Sequence, residues 1–315
     1  MKKALLMALP FILLTACNNK QNQSSETAIS SSVISSSVIE EHIEVEETNE
    51  YTKEDLTFKR DNLNIAGELY TPTNSYDVFP LIILSHGFGG NMSSTRNDAI
   101  TFTKAGYASF IFDYIGGGSS IKSDGQMTEM SVLTEAEDLN IVIDNLLEDE
   151  RISGDNVFLL GQSQGGFVST YVAATRDDIK GLLAFYPAYV LQDDAYKQYS
   201  KLEDVPEVYT SPLGVQVGRI YWEDATSFDI YDVMQDYENP ALIIHGTNDN
   251  IVPLSYAERA AETLPNAELL VLQGAGHGFS GQDNVTAINA SLELMKSEMF
   301  IGCCPFTVFS AVLII

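Results

Sequence analysis

Residues 157–166 read Val157-Phe158-Leu159-Leu160-Gly161-Gln162-Ser163-Gln164-Gly165-Gly166: a short apolar run, a G-x-S-x-G pentapeptide, and the start of a helix-forming stretch over 164–175. The pentapeptide alone is a common accident of composition. Placed between a buried strand and a helix it has a mechanical reading, a sharp turn that lifts a serine oxygen above the end of a sheet. Glycines on both sides keep side chains out of that turn, and Gly166 adds room for close packing. Ser163 is the candidate nucleophile, the alternative being an ordinary tight turn.

A serine hydroxyl is a weak nucleophile near neutral pH and needs a base, itself oriented by a carboxylate. The chain has four histidines. His42 lies in a polar N-terminal stretch, His86 and His245 close apolar runs in His-Gly pairs, and His277 sits in Gly274-Ala275-Gly276-His277-Gly278-Phe279. Only His277 occupies the late, glycine-flexed loop that the order serine, acid, histidine requires. The acid belongs on the loop after the preceding strand, where His245-Gly246-Thr247-Asn248-Asp249-Asn250 offers Asp249. Its alternative is a loop aspartate capping the helix that starts near Leu254. Donors for a tetrahedral oxyanion are expected from the amide of Gln164 and from His86-Gly87-Phe88-Gly89-Gly90, with Phe88 as the candidate. Such chemistry needs no metal and no organic cofactor.

Outward from Ser163, short apolar runs alternate with amphipathic stretches, the pattern of a mostly parallel, doubly wound α/β sheet. Residues 56–60 and 63–70 pair as a hairpin across Asp61-Asn62. Continuously apolar strands are expected at 81–86, 107–113, 157–161, 181–187, 241–246 and 268–274. Helices fit 92–105, 130–148, 164–175, 254–264 and 283–298, the second with apolar spacing at Leu133, Leu139, Ile143 and Leu146. One interval breaks the rhythm, since residues 188–239 separate two strands where a single helix would do. This stretch is rich in tyrosine (Tyr189, Tyr196, Tyr199, Tyr209, Tyr221 and Tyr231 among them), holds Trp222, the only tryptophan, and reads as an inserted lid or binding segment.

The chain has 315 residues, with 17 Lys and Arg against 44 Asp and Glu, a net charge of −27. No basic stripe offsets that excess, which argues against nucleic acid as a partner. An apolar fraction of 45% supports a large core and excludes global disorder. The three cysteines are Cys17, Cys303 and Cys304, so the body between them can hold neither a disulfide frame nor a thiolate metal site. At the N-terminus Lys2 and Lys3 precede the apolar run 4–14, the form of an export signal over residues 1–16. Residues 17–55 turn to Asn, Gln and Ser and then to a glutamate run, the composition of a solvated tether before a folded domain at 56–299. Residues 300–315, FIGCCPFTVFSAVLII, are apolar and interrupted by Pro305, too short for an ordinary spanning helix. An extra buried strand, a second membrane contact and an altered terminus all remain open for them.

Leu14-Thr15-Ala16-Cys17 resembles the lipobox of bacterial lipoproteins, in which the cysteine is acylated and becomes the new N-terminus. The resemblance implies an exported protein held at the cell membrane through Cys17, its folded domain outside the cytoplasm. More than one acyl chain would make that anchor stable. The body resembles the α/β-hydrolase superfamily over residues 56–299, through HGFGG, GQSQGG, HGTNDNIVP and GAGHGF in that order. Within it, HGF, the S-Q-G-G turn, FDYIGGGSS and the length of the insertion are similar to bacterial cinnamoyl (feruloyl) esterases. That similarity implies a small hydroxycinnamoyl-type ester as substrate and Phe88 and Gln164 as oxyanion donors. It further implies Asp194 and Tyr221 at the positions that hold the substrate's phenolic hydroxyl. A serine peptidase of the same superfamily is the alternative, left open by Asp193, Asp194, Glu203 and Asp204. A non-catalytic surface-binding lipoprotein is a third reading, whose mark would be a lost member of the Ser163, Asp249, His277 set.

Overall fold

The alternating charged and apolar residues at the start of the domain form a hairpin, β1 (Tyr51–Arg60) and β2 (Leu63–Pro72), closed at Asp61 with φ 53°. Aspartate tolerates that left-handed turn position. The computed structural model describes residues 51–73 and 76–301. The first strand starts at Tyr51, so residues 51–55 belong to the sheet and not to the expected tether. Lys53, Glu54 and Asp55 disguise it, because an edge strand can carry charge on its open side. Lys53 Nζ lies 3.1 Å from the buried Glu68 and Arg151 Nη1 lies 2.5 Å from Glu54. The export signal, Cys17, His42, Cys303 and Cys304 lie outside the described residues.

From the hairpin the chain runs through β3 (Phe79–Ser85), α1 (Arg96–Lys104), β4 (Ala108–Phe112), α2 (Val132–Leu146), β5 (Ile152–Gln162), α3 (Gln164–Ala174) and β6 (Ile179–Phe185). The expected helix from residue 92 is split, because Asn91 caps a separate turn at Met92–Ser94. Between β6 and the next sheet strand come α4 (Leu191–Gln198), the small hairpin β7 (Val208–Thr210) and β8 (Gln216–Gly218), α5 (Arg219–Thr226) and α6 (Ile230–Met234). The chain then continues through β9 (Ala241–Gly246), α7 (Leu254–Thr263), β10 (Ala267–Leu272) and α8 (Gln282–Ile301).

Among the described residues, eight strands form one sheet in the order β1-β2-β4-β3-β5-β6-β9-β10. It is antiparallel at β1, β2 and β4 and parallel from β4 to β10. The two-residue period of a strand sends alternate side chains to opposite faces. Leu81 and Ile83 join a core with Leu139 and Val142 of α2, Phe167 and Val168 of α3, and Ala257 of α7. Ile82 and Leu84 join the opposite core with Phe102 of α1 and Ile288 and Met295 of α8. Both faces are covered, which explains why the central strands read as continuous apolar runs.

The 188–239 insertion is not a single unit. Val205, Tyr209, Val217, Tyr221 and Trp222 form a small core of their own with Met130. Tyr189, Ile230, Tyr231, Met234 and Tyr237 instead join the core beneath α2 and α3. The lid proper is therefore α4 to α5, and α6 is part of the sheet's cover. No helix of the described residues is long and apolar enough to cross a membrane.

At the centre of the sheet β5 passes into α3 with one residue between them, and the turn closes backbone on backbone. A Cβ on Gly161 would lie 2.1 Å from the Gly165 carbonyl oxygen, and one on Gly165 would lie 2.5 Å from the carbonyl oxygens of Ser85 and His86. Neither neighbour is a side chain that could swing away. Overpacking of this kind costs about 1–3 kcal/mol, so Gly161→Ala is expected to lower the melting temperature by about 3–10 °C in a thermal scan.

Candidate active site

The residue in that turn is Ser163, with φ 53° and ψ −118°. A non-glycine residue in such a region stores roughly 1–3 kcal/mol and persists only where its surroundings impose it. Here Ser163 N–H donates to Phe185 O at 3.0 Å, while its own carbonyl accepts from Gly166 N at 2.9 Å and Ala188 N at 2.9 Å. The hydroxyl is thereby presented at the C-terminal edge of the parallel strands. Loops leaving β9 and β10 on the same edge bring Asp249 and His277 to it. His277 Nε2 lies 2.9 Å from Ser163 Oγ, and Nδ1 lies 2.7 Å from Asp249 Oδ2. With Nδ1–H donating to the carboxylate, Nε2 is free to accept the serine proton.

Both partners are held from behind. Asp249 Oδ1 accepts from Ile251 N at 2.9 Å and Val252 N at 2.8 Å, and its side chain is fully buried. Tyr186 stands edge-on to the His277 ring at 4.9 Å and to Phe279 at 4.7 Å. Those contacts fix the imidazole plane.

Two candidate donor amides belong to the segments next to Ser163. Gln164 opens α3, so its N–H has no intrahelical acceptor. Phe88 N–H has no backbone acceptor among the described residues, and its loop lies close enough that a Cβ on Gly87 would sit 3.1 Å from Ser163 Cβ. The loop is braced by the 112–120 segment. Gly89 N donates to Gly117 O at 3.0 Å, a Cβ on Gly118 would meet Gly90 O at 2.0 Å, and Asp113 accepts from Met92 N at 2.7 Å and Lys122 N at 2.5 Å. His86 is buried behind it, donating from Nδ1 to Gly87 O at 2.8 Å. Burial holds its pKa down.

A cavity of about 260 Å³ opens from Ser163 between sheet and lid, walled by Phe88, Gln164, Asp194, Tyr209 and Tyr221. Asp194 is paired with Lys197 Nζ at 2.9 Å, and the Tyr221 hydroxyl donates to Gln164 Oε1 at 2.6 Å. Ser163, Phe88, Gln164, Asp194 and Tyr221 thus line one space, and His277 and Asp249 join it only through their contact with Ser163. A larger hollow of about 920 Å³ beside β10 and α8 contains none of them. Among the described residues no group of three or more His, Cys, Asp or Glu could hold a metal ion.

A doubly covered, mostly parallel sheet carrying a serine in a strained turn at its C-terminal edge decides the architecture. The chain has the fold of the α/β-hydrolase superfamily. A family model described as serine aminopeptidase S33 matches residues 77–217, and one described as TAP-like protein matches residues 220–294. The solved structure of Est1E from Butyrivibrio proteoclasticus with ferulic acid bound superposes with a TM-score of 0.71 at 24% identity, covering 78% of this chain and 99% of that one. The mitochondrial palmitoyl-protein thioesterase of Bos taurus is 27% identical over 61% of this chain and 64% of its own length, so the match spans just under two thirds of that relative. Lipase 3 of a Moraxella strain is 22% identical over 72% of this chain and 81% of its own length.

On this α/β-hydrolase scaffold two groups stand near the site to which the sequence motifs assign no role. His245, at the end of β9, donates from Nε2 to Val252 O at 2.9 Å and lies 3.3 Å from Asp249 Oδ2. Burial lowers its pKa, and its neutral N–H braces the loop that carries the acid. Glu135 is a carboxyl on the buried face of α2, between Val132 and Leu139, 1% exposed, with Gln164 Nε2 at 2.8 Å. Its place in the 132, 135, 139, 142 spacing was the available signal.

Burial pushes Glu135 up to about 8, and its neighbour Asp138 up to about 7 against the pull of Arg60. For Glu135, folded and unfolded chains are both protonated below the ordinary value of 4.5. Between 4.5 and about 8 the unfolded chain is ionised while the folded chain keeps its proton, so this group makes stability fall as pH rises through that window. Glu135→Gln has no proton to lose. Its melting temperature relative to the native chain is expected to climb from about pH 5 to about pH 8, measured by thermal scans across that range.

Proposed function

We propose that the protein is a serine carboxylic-ester hydrolase working through Ser163, His277 and Asp249. The observation that carries this reading is the continuous contact Ser163 Oγ to His277 Nε2 at 2.9 Å and His277 Nδ1 to Asp249 Oδ2 at 2.7 Å. His277 takes the hydroxyl proton as Oγ bonds to the ester carbonyl carbon, and Asp249 stabilises the imidazolium without accepting the proton. The amides of Phe88 and Gln164 receive the oxyanion. As the carbonyl re-forms, the C–O bond to the alcohol breaks and His277 gives that oxygen its proton. A water then repeats the sequence on the acyl-enzyme, His277 again acting as base, and releases the acid and the free serine.

The cavity of about 260 Å³ takes the acyl part. Its aromatic walls and the Asp194 carboxylate suit a hydroxycinnamoyl group, flat and ending in a phenolic donor. The ferulic acid in the Est1E structure supports the same class. Tyr221 enters with a modified part, because its hydrogen is already donated to Gln164 and only its oxygen is left to accept.

A peptidase is the second reading, favoured by the serine aminopeptidase description of the matching model. Its amine anchor would come from the acidic lid. Asp193 already accepts from Tyr256 OH at 2.5 Å and Asp194 pairs with Lys197, which weakens that reading. Methyl ferulate, an aryl acetate and an aminoacyl arylamide separate the two. Preference for the esters, with at least about a thousandfold loss in Ser163→Ala, is expected. Undiminished hydrolysis in Ser163→Ala would refute the triad, and preference for the arylamide would move the protein to the peptidases.

We further propose that Cys17 is acylated and holds the domain at the outer face of a cell membrane. In the full chain, Cys17→Ser is expected to shift the protein from the membrane to the soluble fraction. Retention of that variant in the membrane fraction would count against the anchor.

A further inference from the structure

Glu135 is a costly residue where it stands. A carboxyl on the buried face of α2, among Val132, Ala136, Leu139 and Val142, forfeits its hydration and needs a compensating partner. The partner is the Gln164 side chain, whose Nε2 donates to Glu135 Oε2 at 2.8 Å, while its Oε1 accepts from the Tyr221 hydroxyl at 2.6 Å. Three elements are joined in one chain of hydrogen bonds: α2, the first residue of α3 beside the nucleophile, and α5 of the lid.

Such a chain has a direction. A carboxyl oxygen accepting from Gln164 turns the amide nitrogen towards α2 and the amide oxygen towards the lid. The amide oxygen then claims the only hydrogen of the Tyr221 hydroxyl. What remains at Tyr221, on the wall of the acyl cavity, is an oxygen that can accept and cannot donate. An apolar residue at 135 would release the amide to rotate, and the Tyr221 hydrogen could then point elsewhere.

We propose that Glu135 is a specificity-determining positioning residue: without touching substrate, it sets the hydrogen-bond polarity of the cavity wall so that an acyl group bearing a donor is preferred over one without. This rests on the reading that the cavity takes the acyl part of an ester. A neutral Glu135 still accepts from Gln164 Nε2 at Oε2 when its proton sits on Oε1, so burial that keeps the group neutral is compatible with the chain's direction.

The test uses the full chain with Ser163→Ala, which removes turnover, and reads binding through the fluorescence of Trp222, the only tryptophan and a member of the lid core. The probes are the methyl esters of para-hydroxycinnamic and para-methoxycinnamic acid. One hydrogen bond lost from a closed site corresponds to about a tenfold change in affinity. The hydroxy ester is expected to bind about tenfold more tightly than the methoxy ester. Adding Glu135→Leu should shrink that ratio to what the Asp194 carboxylate alone supports, and Glu135→Gln, which still offers an acceptor, should keep it. Tyr221→Phe should shrink it in the same way by removing the oxygen itself, and Glu135→Met, which keeps most of the volume without the acceptor, carries the test if Glu135→Leu does not fold.

A structural role alone would weaken both esters in proportion and leave the ratio unchanged in Glu135→Leu. That result overturns the inference, as does equal binding of the two esters by the chain with Glu135 present. Binding of neither ester overturns the acyl-cavity reading as well. Absence of ester hydrolysis by the chain with Ser163 intact, with the ratio still sensitive to Glu135, would instead count against the proposed chemistry and leave this assignment standing.

Discussion

The backbone at Ser163 is the constraint on which the rest of the site depends. A left-handed φ on a residue with a side chain relaxes unless it is held, and it is held from three directions. The end of β6 accepts its N–H, α3 and the segment after β6 donate to its carbonyl, and Gly161 and Gly165 close on each other with no space for a Cβ. The strain is thus distributed over the stiffest part of the sheet. A hydroxyl so placed cannot withdraw into the turn, and the amide of Gln164 is committed to the same side. The geometry of attack and of charge stabilisation follows from one turn.

Buried carboxyls around that turn fall into two kinds. Asp249 is met by two backbone amides, the His277 ring and the nearby N–H of His245. Glu135 has one amide donor, and Asp138 has Ile115 N at 2.8 Å and Arg60 at 3.2 Å, and burial drives both towards the neutral form. The number of donors aimed at each group, more than its depth, separates a carboxylate suited to steering an imidazolium from one suited to ordering a hydrogen-bond chain.

Much of this was legible in the chain because the responsible residues are close in sequence or fixed in order. Strand, G-x-S-x-G and helix are contiguous at 157–175, and the loops bearing Asp249 and His277 follow their strands directly. The sheet buried on both faces leaves continuous apolar runs that cannot be mistaken for amphipathic ones. What was not legible depends on partners far away in sequence. Residues 51–55 look like tether until Glu68 and Arg151 are placed beside them. The split of the 188–239 insertion depends on which core receives Tyr231 and Met234, a choice made by α3 and α7. Glu135 acquires its meaning from Gln164 and Tyr221, and His245 from a carbonyl on the loop after its strand.

The small core of the lid has an evolutionary consequence. Val205, Tyr209, Val217 and Trp222 pack with one another and with Met130, apart from the two layers that hold the sheet together. Substitutions among them can reshape the cavity beside Ser163 while the sheet keeps its folding energy, and the strained turn keeps its supports. Drift in what the protein accepts is therefore separable from drift in whether it folds. A lineage can exchange one substrate for another through α4 and α5 before any residue beneath Ser163 has to change.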